Sequence, residues 1–207
     1  MSTPPLLDAI AKSLNSYSGR DKAARSLAFI IQLHAWRGTR EAPVKEWISL
    51  AKQLSAARLV FRRLNHPSAL KECSKLASSA SEDFIDRSYA WTMAFANAAH
   101  GFVELAAWLS DAKLIAGDAA KLFRWCLYLW LTARAAGVIR QSRLMAREGR
   151  PRGKVREDAL LLLCYACDFI AGATGLPKGV LWSGSMHPKT TAKLSLVASL
   201  ISFYRTF

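Results

Sequence analysis

Apolar residues recur at steps of three and four along most of this chain, and that spacing commits it to helices. The clearest case is the stretch from Val44 to Leu64, VKEWISLAKQLSAARLVFRRL. Trp47, Leu50, Ala51, Leu54, Ala57, Phe61 and Leu64 share one side of an α-helix. Lys45, Lys52 and Arg63 fall roughly opposite, and Arg58 and Arg62 lie along one edge of the apolar stripe. At the usual rise the segment spans about 30 Å. Such a face suits two destinations. It can pack on the chain's own core, as most amphipathic helices do. It can also lie in a membrane interface, with rings among acyl chains and cations among phosphates.

Alternating Val, Ile and Thr patterns are missing, so the reading is all-α throughout. Leu6–Leu14 is expected as a short first helix, with Ser18-Gly19-Arg20-Asp21-Lys22 as a break and Asp21 or Ser18 as the next cap. Ala23–Trp36 follows, then the 44–64 helix and a short helix from Ala69 to Ser78, capped by Ser68. The second half is more apolar. Phe84–Ile115 and Lys121–Ile139 are rich in aromatic residues, with Arg124 and Arg134 interrupting the second run. Arg140–Arg156 carries seven basic residues around Gly and Pro and reads as a linker.

Ala159–Leu176 is the strongest membrane-spanning candidate, with Asp168 as its one charge, since a span needs about 20 apolar residues. Leu194–Tyr204 is a second, shorter apolar block. Together they predict a hairpin that dips into or crosses a bilayer; a soluble helical pair with an apolar interface fits the same pattern. The expected organisation is thus an amphipathic helical region (1–83), an apolar helical region (84–139), a basic linker (140–157) and a membrane-anchoring hairpin (158–207).

Charge and composition narrow the partners. The chain carries 29 basic and 15 acidic residues, a net charge of +14, yet is 52% hydrophobic. That combination points to a polyanionic partner, and seven tryptophans favour an anionic membrane surface over nucleic acid. No RRM, zinc or homeodomain pattern accompanies the basic residues. The opening residues do not read as a secretory leader.

Catalytic chemistry has little to draw on. His34, His66, His100 and His187 are scattered, and no phosphate loop or nucleophile elbow is present. Cys164-Tyr-Ala-Cys167 has a metal-like spacing but stands alone within an apolar run, and Cys73 and Cys126 complete no second pair. Buried thiols are expected there, with no cofactor, no metal and no enzymatic activity.

Four stretches, in order, carry a resemblance. Ser18-Gly19-Arg20-Asp21-Lys22 before an apolar helix is one, and Leu50–Arg62, ending Arg58-Leu-Val-Phe61-Arg62, is the second. Ala107-Trp108-Leu109-Ser110-Asp111-Ala112-Lys113 is the third, and the apolar C-terminus with its Gly and Trp loop is the fourth. The set resembles the peroxin-11 family of peroxisomal membrane proteins, in its gamma-like branch, from about Tyr17 onward. The resemblance implies a peroxisomal membrane location and a role in elongation and division of the organelle, through an amphipathic helix inserted in the cytosolic leaflet. It also implies self-association and cooperation with a dynamin-related fission machinery. Carried onto this chain, Trp47, Leu50, Leu54, Phe61 and Leu64 form the inserted face, and Lys52, Arg58, Arg62 and Arg63 meet phospholipid headgroups. Two alternatives remain open at this level. One is a membrane pore for small solutes in which Asp168 lines a path; the other is a soluble basic adaptor.

Overall fold

A computed structural model describes residues 5–36, 41–63, 71, 73, 74, 76, 83–147 and 151–207. The long helices are α1 (Pro5–Asn15), α2 (Tyr17–Ala35), α3 (Glu41–Arg63), α4 (Phe84–Asp111), α5 (Ala119–Met145), α6 (Arg152–Ala173) and α7 (Pro188–Tyr204). No strand occurs among the described residues, in keeping with the periodicity. The chain divides into two compact units, Met1–Asn65 with Ser185–Phe207, and His66–Gly184.

The first unit is built around α2, against which α1, α3 and α7 pack. The break between α1 and α2 comes at Ser16, earlier than the expected Ser18–Lys22. Ser16 caps α2 by accepting a hydrogen bond from the Gly19 N–H at 2.9 Å. Gly19 is therefore inside the helix, where it lets the turn close. A Cβ there would sit 2.0 Å from the Ser13 carbonyl oxygen. Small side chains dominate the packed faces: Ala28 and Ile31 of α2 meet Ala51 of α3, while Ala192, Ser195, Ala198 and Ser199 are buried on α7. Ser13 and Thr206, 193 residues apart, join their hydroxyls at 2.5 Å and tie α1 to the turn after α7.

The second unit stacks α4 and α6 on α5. Glycine allows close approach here too. Gly172 of α6 faces Trp130 of α5, where a Cβ would come within 2.2 Å of the indole, and Gly137 lies under the Tyr165 ring. Leu131, Ala173 and Leu176 form the buried centre, flanked by Phe169 and Trp182 in an edge-to-face pair at 5.9 Å. Trp182 donates from its indole nitrogen to the Ile170 carbonyl at 2.8 Å, so its polar end is satisfied. Arg134, which interrupts an apolar run, lies over the rings of Trp130 and Tyr165 and donates to Asn97 at 3.4 Å.

At the start of α4 and the end of α5, acids and bases are locked together. Asp86 is fully buried and accepts from Arg143 Nε at 2.9 Å and from Arg147. Arg143 also reaches Asp83 at 3.1 Å. The basic stretch expected as a linker is thus helical at both ends: α5 continues to Met145, and α6 begins at Arg152 just after Pro151. Arg140 and Arg143 share one face of the end of α5, and Arg147 follows just after it, all three directed toward the start of α4.

No helix among the described residues is long and apolar enough to cross a membrane. The physical reason is visible in α6. Its first turns carry Arg152, Lys154, Arg156, Glu157 and Asp158, and the helix ends at Ala173. The apolar part extends about 22 Å, short of a hydrocarbon core of about 30 Å. Asp168 is buried in that run, 2% exposed. The two C-terminal apolar blocks also belong to different units, α6 to the second and α7 to the first.

Candidate membrane-binding surface

Helix α3 begins at Glu41, and Pro43 falls in its first turn, where backbone N–H groups have no helical partner to lose. The helix therefore starts one turn before the apolar pattern does. Its inner side is set by Ala51, which is wholly buried against Ala28 and Ile31, with Leu54 packed beside it. Ser55 returns its hydroxyl to the Ala51 carbonyl at 3.0 Å.

The inner side is not centred on the apolar stripe. It is rotated toward the edge that carries Arg58 and Arg62. Arg58 Nε donates to Asp21 Oδ1 of α2 at 3.0 Å, with only 14% of its side chain exposed, and Arg62 Nε lies 4.0 Å from the same oxygen. Burial is the largest influence on Arg58 and lowers its pKa to about 10, partly countered by Asp21 and reinforced by Arg62 and Arg25. Asp21 draws this edge of α3 inward.

The opposite edge of the stripe is left outside. Trp47 is 41% exposed and Leu50 40%, and Lys45 and Lys52, roughly opposite them around the helix, are also exposed. Trp47 rests one edge of its ring on His34 of α2, centroid to centroid 5.4 Å, which fixes its direction. Val60, which the periodic pattern passes over, is exposed as well. Phe61 is half-buried. Of the residues expected to form the lipid-facing surface, the structure leaves Trp47, Leu50 and Lys52 exposed, with Lys52 on the polar side of the helix. It engages Leu54 and Arg58 with α2. The Arg63 side chain and Leu64 lie outside the described residues.

The remaining chemistry-bearing groups are structural in placement. Cys126, Cys164 and Cys167 are buried thiols in no disulfide, and burial pushes the Cys167 thiol up from its ordinary pKa, with Asp168 and Cys164 adding to the shift.

A helical chain with such a surface is matched by one defined protein family. The sequence pattern of peroxisomal biogenesis factor 11 (PEX11) fits residues 7–157, which run from within α1 to the start of α6 and include the whole of α3. The chain belongs to the PEX11 family. It is a peroxisomal membrane protein of peroxisome biogenesis. Among curated proteins it is similar to the human peroxisomal membrane protein 11C, 24% identical over 225 aligned positions that cover 96% of this chain and 93% of the relative. The mouse peroxisomal membrane protein 11C is 23% identical, over 95% and 92% of the two chains. No solved structure matches this PEX11 chain.

Proposed function

We propose that this PEX11-family protein elongates and helps to divide peroxisomes by laying the outer edge of α3 into the cytosolic leaflet. The observation that carries the reading is the exposure of Trp47 and Leu50 on a helix that α2 covers along Ala51 and Leu54, with Lys45 and Lys52 exposed on its polar side. The two apolar side chains enter the headgroup boundary to a depth of about 5–10 Å, and the leaflet they enter expands relative to its partner. Each cation near an anionic phospholipid surface contributes about 1 kcal/mol. Arg58, Arg62 and Leu54 join the lipid-facing surface only where α3 parts from α2, because Asp21 and Ala28 hold them otherwise.

In this reading the C-terminal region, 158–207, anchors at the interface rather than across the bilayer. Val197, Leu200 and Tyr204 recur at three and four residues along α7 and are all exposed, a narrow apolar edge on the same unit as α3. Bending a membrane needs many inserted copies, so self-association belongs to the same mechanism. Recruitment of a dynamin-related fission machinery completes it.

The test is made in cells. Expression of the wild-type chain elongates peroxisomes, seen by fluorescence microscopy of a peroxisomal marker. The Trp47→Glu/Leu50→Glu variant reaches the organelle and leaves it spherical. Equal elongation by the two chains refutes the role of this surface.

A further inference from the structure

Helix α4 carries a row of aromatic side chains for which the core of its unit has no use. Phe84, Trp91, Phe95 and Phe102 follow one another at steps of seven, four and seven residues, which aligns them along one line of the helix. They are 73%, 38%, 69% and 52% exposed. The opposite side holds the buried Asp86, Ala90, Glu104 and Ala107. No Asp, Glu, Lys or Arg stands between Arg87 and Glu104. The row spans about 27 Å, and beyond Arg87 it runs along about 22 Å of helix without a charge. Single exposed apolar residues are ordinary on a protein surface, but a continuous row is a contact surface.

The polar end of the row has a shape of its own. Leu76, Phe84, Arg87, Ser88 and Trp91 line an open recess of about 430 Å³. Asp83 and Asp86, the acids nearest to Arg87 in sequence, are engaged by Arg143 and Arg147. Ser88 gives its hydroxyl proton to the Phe84 carbonyl at 2.8 Å, so the recess presents the Arg87 guanidinium between two aromatic rings, at the head of an apolar track.

We infer that this face of α4 is a second bilayer-contact surface, in which Arg87 meets the phosphate of an anionic phospholipid and the acyl chains lie along Trp91, Phe95 and Phe102. The chemistry favours lipid over another copy of the chain. An arginine pairs with a phosphate through charge-assisted hydrogen bonds. An indole next to it occupies the level where headgroups give way to hydrocarbon. An uncharged row offers a second helix no charge pairs to fix its register. The net charge of +14 and the family's membrane location bring such a surface to hand. The inference goes beyond the α3 reading and does not depend on it, since the two surfaces belong to different units.

The experiment places an environment-sensitive fluorescent amino acid at Phe95 in one full-length preparation and at Trp47 in another. Each is mixed with vesicles of phosphatidylcholine, with and without phosphatidylserine. The Phe95 probe shifts to the blue with anionic vesicles and is quenched by bromine carried on the acyl chains. Arg87→Gln weakens binding to the anionic vesicles about five-fold and leaves binding to pure phosphatidylcholine unchanged. Phe95→Glu/Phe102→Glu, checked for retained helicity by circular dichroism, weakens binding to both more than about ten-fold. A Phe95 probe that stays water-like overturns the inference, and so does one that shifts with protein concentration in the absence of vesicles, which would mark a second copy. Equal binding by Arg87→Gln removes the headgroup role. The Trp47 probe reports on α3 separately, so failure of one surface is not mistaken for failure of the other.

Discussion

Arg58 and Asp21, 37 residues apart, are joined at 3.0 Å between α2 and α3 with little of either side chain exposed. The pair decides which edge of α3 faces inward. Removing the carboxylate leaves a buried guanidinium without the partner it has in the fold. Asp21→Ala therefore destabilises the protein by about 1–3 kcal/mol, measured by urea unfolding. Desolvation is the largest influence on Arg58, so the ion pair is costly as well as specific. The double variant Asp21→Leu/Arg58→Met recovers most of that loss, because an apolar pair of similar volume carries no desolvation penalty.

The same pair has a pH dependence of definite sign. Arg58 titrates near 10 in the folded chain, below its ordinary value. Under about pH 9 the folded and unfolded states both hold the proton, so Arg58 contributes no slope to stability. Above about 10 the unfolded state binds more protons than the folded state, and this contribution to stability rises with pH. Unfolding free energies of wild type and Arg58→Met, compared from neutral pH upward, should run parallel to about pH 9. The wild type then gains on the variant.

Asp86 poses a different balance. Its side chain is wholly buried, while Arg143 and Arg147 are 39% and 43% exposed. Deleting the acid leaves two cations that water can reach. Deleting both cations strands a buried carboxylate. Thermal denaturation should therefore show Arg143→Ala/Arg147→Ala as more destabilising than Asp86→Ala, the reverse of what a count of lost ion pairs predicts.

Close packing at glycine gives a fourth expectation. A methyl group at Gly172 would come 2.2 Å from Trp130 and 3.0 Å from Leu131. Gly172→Ala forces α5 and α6 apart and costs about 1–3 kcal/mol despite the better helix propensity of alanine. Gly153→Ala is the control, since nothing lies within 4 Å of that position.

The helices were legible because apolar spacing repeats along whole segments, and α3 is the plainest example. The rotation of α3 was not legible. Arg58 and Arg62 read as a flank of the stripe, and only a partner 37 residues away turns that flank inward. The α1–α2 break was misplaced because Gly19 looks like a breaker in sequence, whereas its missing side chain serves contact with Ser13. The expected hairpin of Ala159–Leu176 with Leu194–Tyr204 rested on hydropathy, which does not register that α6 starts among charges and ends at Ala173. The packing of α7 on α2 joins residues far apart in sequence, a relationship no local pattern encodes.

If the outer edge of α3 bends membranes, the bending follows its two exposed apolar side chains. The most direct test is electron microscopy of anionic phospholipid vesicles mixed with the full-length protein, wild type against Trp47→Glu/Leu50→Glu. Both side chains are about 40% exposed, so the variant keeps its fold and its unfolding midpoint. Tubules with the wild type and spherical vesicles with the variant are the expected result. Tubules from both proteins in equal number would contradict it.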